Sequence, residues 1–143
     1  MPTTEVRIVS LQLCTGQREP MKSVPAAQAV ADFGLQGDRH ARAGHRRQVL
    51  LIESETLNAL GLAPGMVKEN ITTQGVDLMS LLPGQRLRIG HEVVLEISGE
   101  CEPCQRMDEI RAGLREELAG RRGMNSRVIT GGLIQVGDPI LVL

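Results

Sequence analysis

At 143 residues, with 41% apolar and 23% charged side chains, the chain has the make-up of one soluble globular domain, residues 1–143, able to bury roughly two thirds of the surface it exposes unfolded. A formal net charge of −1 provides no global field for nucleic acid or an anionic membrane, so any anion recognition must be local. No run of about 18 apolar residues marks a membrane span, and no basic segment followed by an apolar one marks a secretory leader.

The expected compartment is therefore the cytoplasm, with no membrane partner. Three cysteines, an odd number, suit a reducing compartment in which they stay thiols. The Asn70-Ile71-Thr72 sequon is then accidental. Phe33 is the only aromatic residue besides the three histidines, which removes the stacking platforms of single-strand and RNA readers; no nucleic-acid partner is expected.

In chain order, "EVRIVSLQL" alternates apolar and polar residues with a phase slip near Ser10, a strand pattern. Pro20 and Pro25 bracket a short irregular or edge segment. "RQVLLI" (47–52) reads as a buried strand, and "ESETLNALGL" after it as a short helix with Ser54 as N-cap and Gly61 as stop. "GQRLRIGHEVVLEISG" predicts a hairpin around Gly90-His91, with Leu87 and Ile89, then Val93, Leu95 and Ile97, on single faces. Ile110, Leu114 and Leu118 recur at helical spacing between 108 and 119, with Gly113 splitting the segment. The tail "SRVITGGLIQVGDPILVL" reads as two short strands cornered at Gly131-Gly132 and Gly137-Asp138. Frequent turns and few helices predict a small, mostly antiparallel β-barrel.

Chemistry concentrates in "SGECEPCQRMDE" (98–109), which places Cys101 and Cys104 three apart. A structural zinc site needs four ligands, and Cys14, His40, His45 and His91 offer no second pair at familiar spacing. The deaminase signature fails because Pro103 lies inside the pair and His91-Glu92 are adjacent. A thioredoxin-like motif needs a helix after the cysteines, and Pro103 with the polar run behind it announces none. Inert, buried thiols are the plain alternative, but Glu100, Glu102, Gln105, Arg106 and Asp108 make a polar loop that suits a presented thiol. Arg106 would favour the thiolate, while Glu100 and Glu102 would oppose it. Arg39, His40, Arg42, His45, Arg46 and Arg47 form a second feature, a basic cluster within nine residues, in a chain with fourteen arginines and two lysines. Taken alone, the cluster reads equally as a solvated face.

Three further stretches resemble the MOSC domain family, named for the C-terminal domain of molybdenum cofactor sulfurase: "FGLQGDRHARAGHRRQVLLI" (33–52), "KENITTQGVDLMSLLPGQRLRIG" (68–90) and "GRRGMNSRVITGGLIQVGDPI" (120–140). The resemblance runs from about Pro20 to the C-terminus. It implies a mostly β, MOSC-type β-barrel-like fold with a few short helices. It also implies a family cysteine in a "P-C" context, Cys104, acting as a persulfide carrier or as a ligand to molybdenum. Cys101 is outside the family position and would resolve a persulfide or disulfide on Cys104. The motifs "GDRH" and "EN" carry Asp38, Arg39, His40, Glu69 and Asn70 into a site for the molybdenum cofactor, with Arg46 and Arg106 supplying charge. That cofactor, a pterin dithiolene with a phosphate, asks for positive charge, a hydrogen-bonding edge and a soft metal ligand, and arginine forks suit its phosphate. The implied activity is cofactor binding or metal-sulfur transfer, with reduction of N-hydroxylated substrates alongside a redox partner as the leading enzymatic form. The other class is a non-catalytic carrier that passes sulfur to a partner enzyme. Pyridoxal phosphate is not expected, because Lys22 and Lys68, the only Schiff-base candidates, lie in no matching motif.

Overall fold

Apolar-polar alternation turns most of the chain into strands whose buried faces share one core. The computed structural model describes residues 6–143; Glu5, at the head of the first expected strand, and the start of the expected domain lie outside the described residues. Among the described residues are strands β1 (Arg7–Leu13), β2 (Lys22–Val24), β3 (Ala26–Val30), β4 (Gly34–Leu35), β5 (Val49–Glu53), β6 (Ile71–Gln74), β7 (Arg86–Ile89), β8 (Val93–Glu100), β9 (Met124–Thr130), β10 (Gly132–Gln135) and β11 (Ile140–Val142). Three short α-helices, α1 (Ser54–Leu60), α2 (Gln105–Ile110) and α3 (Leu114–Glu117), and one turn of 3-10 helix (Leu78–Ser80) join them. No helix among the described residues is long and apolar enough to cross a membrane.

Eight strands pair in the order β11-β7-β8-β9-β5-β6-β1-β2, and β10-β3-β4 form a smaller sheet. The large sheet curls until β1 meets the approach to β11: Ile8 N–H donates to the Asp138 carbonyl (3.0 Å), Gly137 N–H to Ile8 (2.9 Å) and Ile140 N–H to Val6 (2.9 Å). This is the barrel-like β fold the sequence predicts. The phase slip near Ser10 is a register shift between Ile8 and Ser10 against β6. The β7–β8 hairpin pairs Ile89 with Val93 across residues 90–92, and its expected inward residues are all buried. Most pairs are antiparallel, but β5 and β6 run parallel, joined by a crossover through α1.

Three details differ from the sequence reading. Ser54 is the first helical residue and Glu53 is the N-cap, its carboxylate accepting the Leu78 N–H instead (3.0 Å). The tail forms three strands, since Gly131 turns the chain from β9 directly into β10 in the other sheet. A helix does begin after Cys104: α2 starts at Gln105, because Met107 and Ile110 find an apolar surface to cover while Gln105, Arg106 and Asp108 face water.

That surface is a second core. The main core fills the barrel with Ile8, Leu11, Val49, Leu51, Ile71, Leu87, Ile89, Leu95 and Ile97. A satellite cluster of Ile52, Leu57, Leu62, Val67, Met107, Leu114 and Leu118 binds α1, α2 and α3 together outside it. Each fully buried aliphatic side chain is worth about 1.5–3 kcal/mol, so Met107, 2% exposed, is the anchor that holds α2 in place. Gly113 (φ 83°) supplies the left-handed turn between α2 and α3. Arg111 Nη1 donates to the Leu60 carbonyl at the end of α1 (2.7 Å).

At the entrance to β9, Gly123 takes φ 127°, and a Cβ there would stand 2.3 Å from the Leu51 carbonyl oxygen. Gly123→Ala is therefore expected to cost about 2–4 kcal/mol in urea unfolding. A loss below about 1 kcal/mol would show that β9 moves freely off β5.

Candidate functional site

The site is built around a buried amide. Asn70, 1% exposed, sits just before β6, where β5 and β1 begin to flank it. Its backbone N–H donates to the Leu50 carbonyl (2.9 Å) and its carbonyl accepts the Gln12 N–H (2.9 Å). Its side chain repeats both links: Oδ1 accepts the Leu50 N–H (3.0 Å) and Nδ2 donates to the Gln12 carbonyl (3.2 Å). Nδ2 also donates to Asp38 Oδ1 (3.1 Å), which in turn accepts the Cys14 N–H (2.7 Å). Four of these hydrogen bonds join Asn70 to β5 and β1, and the two accepted by Asp38 fasten the 38–47 loop to them.

Two neighbouring carboxyls are buried and half-satisfied. Glu69 Oε2 accepts the Gly65 N–H (2.8 Å) and the Thr72 hydroxyl (2.9 Å), while Oε1 has no partner. Asp38 Oδ2 is likewise unpartnered, 4.0 Å from His40 Nδ1. Burial raises the pKa of both groups; the hydrogen bonds to each, with His40 beside Asp38 and Arg122 beside Glu69, work against that rise.

Over this floor opens a cleft of about 650 Å³, between the 38–47 loop, the segment before β6, the approach to β9 and α2. The site candidates Arg39, His40, Asn70, Cys104 and Arg106 line it, together with Arg42, His45 and Arg47 of the basic cluster, so eight of the residues singled out in the sequence converge there. Asp38 and Glu69 lie behind the wall. Arg46 does not reach the cleft: its side chain is exposed and its carbonyl accepts the Ser98 hydroxyl, while Arg47 lines the cleft instead. Cys101 is also outside the lining, half-buried, its N–H held by the Gly123 carbonyl (2.9 Å). Cys104 is exposed, N-caps α2 with an extended backbone, and accepts the Met107 N–H on its carbonyl (2.9 Å). All three cysteines are free thiols.

The lining also holds residues that sequence reasoning missed. Arg122 is 5% exposed; Nη2 donates to the Val67 carbonyl and Nη1 has no partner. Asn125 of β9, Arg18 and Lys68 line the cleft as well. Seven lining residues are cationic (Arg18, Arg39, Arg42, Arg47, Lys68, Arg106, Arg122), and Glu109 is the single acid among the described ones. Arg121 and Arg122 look alike in sequence, and no local signal separates the buried one from its neighbour. Arg127 points away, paired to Asp32 (2.8 Å). Among the described residues no three His, Cys, Asp or Glu side chains gather into a metal-binding group.

The family model of the MOSC domain matches residues 38–141. The chain belongs to the MOSC domain family. The match begins at Asp38, later than the Pro20 expected from sequence. Solved structures extend the likeness over nearly the whole MOSC chain. The YuaD protein of Bacillus subtilis superimposes with a TM-score of 0.83 at 22% identity, covering 98% of this chain and 97% of that one. YiiM of Escherichia coli gives 0.71 at 19% identity, over 99% and 70% of the two chains. YiiM of Geobacillus stearothermophilus gives 0.71 at 18%, over 96% and 75%. These likenesses establish the fold. No curated protein sequence matches the chain.

The raised carboxyls set a pH signature. A folded-state pKa above the unfolded one means that the folded protein binds the extra proton; stability is complete below the unfolded value, near 4.5 for Glu69, and falls as pH rises through the folded value. Glu69→Gln keeps an oxygen acceptor for Gly65 and Thr72 and removes the buried charge. Its urea midpoint is expected to exceed wild type above that window and to fall less with pH; an unchanged slope would show that Glu69 does not titrate there.

Proposed function

We propose that this MOSC domain binds the molybdenum cofactor in the cationic cleft and uses Cys104 as metal ligand or sulfur carrier. The observation that carries the reading is Arg122: a buried guanidinium with an unpartnered Nη1, on the wall of a cleft with an exposed thiol at its edge. A buried unsatisfied donor costs about 1–3 kcal/mol, a cost that an anion accepting from Arg122 would offset. The donor set suits the cofactor. Arg39, Arg42, Arg47 and Arg122 offer planar forks for its phosphate, the amides of Asn70 and Asn125 offer hydrogen bonds for the pterin edge, and Cys104 offers a soft sulfur.

When bound, that group would supply two-electron redox chemistry at molybdenum, with N-hydroxylated bases as the leading substrates. The protein's own part is positional. Met107 holds α2 against the satellite core, so the Cys104 sulfur stays at the cleft edge, and the Asn70 node keeps Asp38 and His40 behind and beside it.

A sulfur carrier is the second reading, favoured by the exposure of Cys104 and its polar neighbours, which leave it open to a partner enzyme. In that chemistry the Cys104 thiolate attacks the terminal sulfur of a donor persulfide and the donor leaves as a thiolate.

Elemental analysis of protein made in a host that synthesises the cofactor separates the two. Stoichiometric molybdenum, lost in Cys104→Ser, supports the ligand; metal-free protein with about 32 Da of extra mass on Cys104 supports the carrier. With cofactor bound, Arg39→Glu is expected to lower occupancy by about tenfold, while Arg46→Glu leaves it unchanged. Equal losses in both would remove the cleft assignment.

A further inference from the structure

Arg18 (φ 60°) and Lys68 (φ 69°) hold left-handed backbone conformations that side chains rarely adopt, at the rim of the cleft. Glycine would relieve the strain at either position, yet both are cations. The two residues, with Arg39, His40 and Arg106, also line a second cavity of about 210 Å³ that adjoins the first. Lys68 Nζ donates to the Glu19 carbonyl (3.0 Å), clamping the loop after β1 against the segment before β6. Glu19 is the one acid among the described lining residues, against four permanent cations.

We propose that this smaller cavity is an oxyanion subsite, and that it seats the sulfonate end of thiosulfate so that Cys104 is loaded with sulfur. The inference rests on the carrier reading of Cys104. A compact space walled by four cations selects a small, multiply charged anion over a broad heterocycle, and three of the four are arginines, whose forks suit tetrahedral oxyanions. Arg106 links this cavity to the reacting sulfur: it lines both spaces and stands two residues beyond Cys104.

The step balances without an outside oxidant. The Cys104 thiolate attacks the outer sulfur of thiosulfate, a new S–S bond forms, and the old one breaks with its electron pair leaving on sulfite. Cys104 is left as a persulfide anion. Charge is conserved: the thiolate and dianionic thiosulfate become a persulfide anion and dianionic sulfite. Arg18, Arg39 and Lys68 face the charge carried first by donor and then by leaving group.

The test exposes the full chain to sodium thiosulfate or, in parallel, to an alkyl persulfide, and follows peptide mass and sulfite release. Expected is one sulfur, about 32 Da, on Cys104 for each sulfite released. In Arg18→Gly/Lys68→Gly, where glycine accepts the same backbone, the thiosulfate concentration for half-maximal loading should rise by about tenfold or more; Arg39→Ala is a second variant with the same expected direction. The exposed Arg88→Ala is the control that leaves loading intact. Loading of Cys104 by alkyl persulfide but not by thiosulfate would overturn the oxyanion subsite and spare the carrier reading. So would thiosulfate loading indifferent to these variants, or thiosulfate sulfur found on Cys14. Loading by neither donor overturns both.

Discussion

The fold and the cleft meet in one side chain. Asn70 duplicates with its amide the hydrogen bonds its backbone already makes to Leu50 and Gln12, then reaches Asp38. At that point β6 has not yet begun, so the amide serves as an extra rung between β5 and β1. A buried polar group of this kind contributes only when all its valences are met, and here both ends are engaged. The 38–47 loop, which brings Arg39, His40, Arg42 and Arg47 to the cleft, is fastened through Asp38 to this rung.

A chain of net charge −1 thus acquires a cationic cleft through placement alone. Many of its acids are committed elsewhere: Asp32 to Arg127, Glu96 to Arg86, Glu117 to Arg111. Asp38 and Glu69 are withdrawn behind the wall, where burial favours their neutral forms. In the cleft only Glu109, 3.5 Å from Arg18, pairs with a lining cation among the described residues, so the cations outnumber the acids there. Left-handed Arg18 and Lys68, a half-satisfied Arg122 and two half-satisfied carboxyls are each locally unfavourable, and they cluster round one opening.

Much of the scaffold was legible because its signals are short-range. The β7–β8 hairpin follows from strict alternation about Gly90-His91, the slip near Ser10 from a change in phase, and the break at Gly113 from glycine inside a helical pattern. The start of α2 was not legible: its apolar residues, Met107 and Ile110, become a helix face only because α1 and α3 present a surface to cover. The third tail strand was hidden for a similar reason. Residues 126–143 read as two short strands cornered at Gly131-Gly132 and Gly137-Asp138, whereas the chain leaves one sheet for another at Gly131.

By itself the sequence determined the mostly β class, the family likeness, a presented cysteine at 104 and a basic loop beginning at Arg39, since these depend on local pattern and residue chemistry. Only the tertiary structure decided that Arg47 and not Arg46 faces the cleft, that Cys101 stays outside it, and that Arg18, Lys68, Arg122 and Asn125 join it. The physical reason is that a side chain's direction along a loop is set by the backbone that long-range hydrogen bonds impose. Those bonds, between residues 12, 38, 50 and 70, join segments that are remote in the chain.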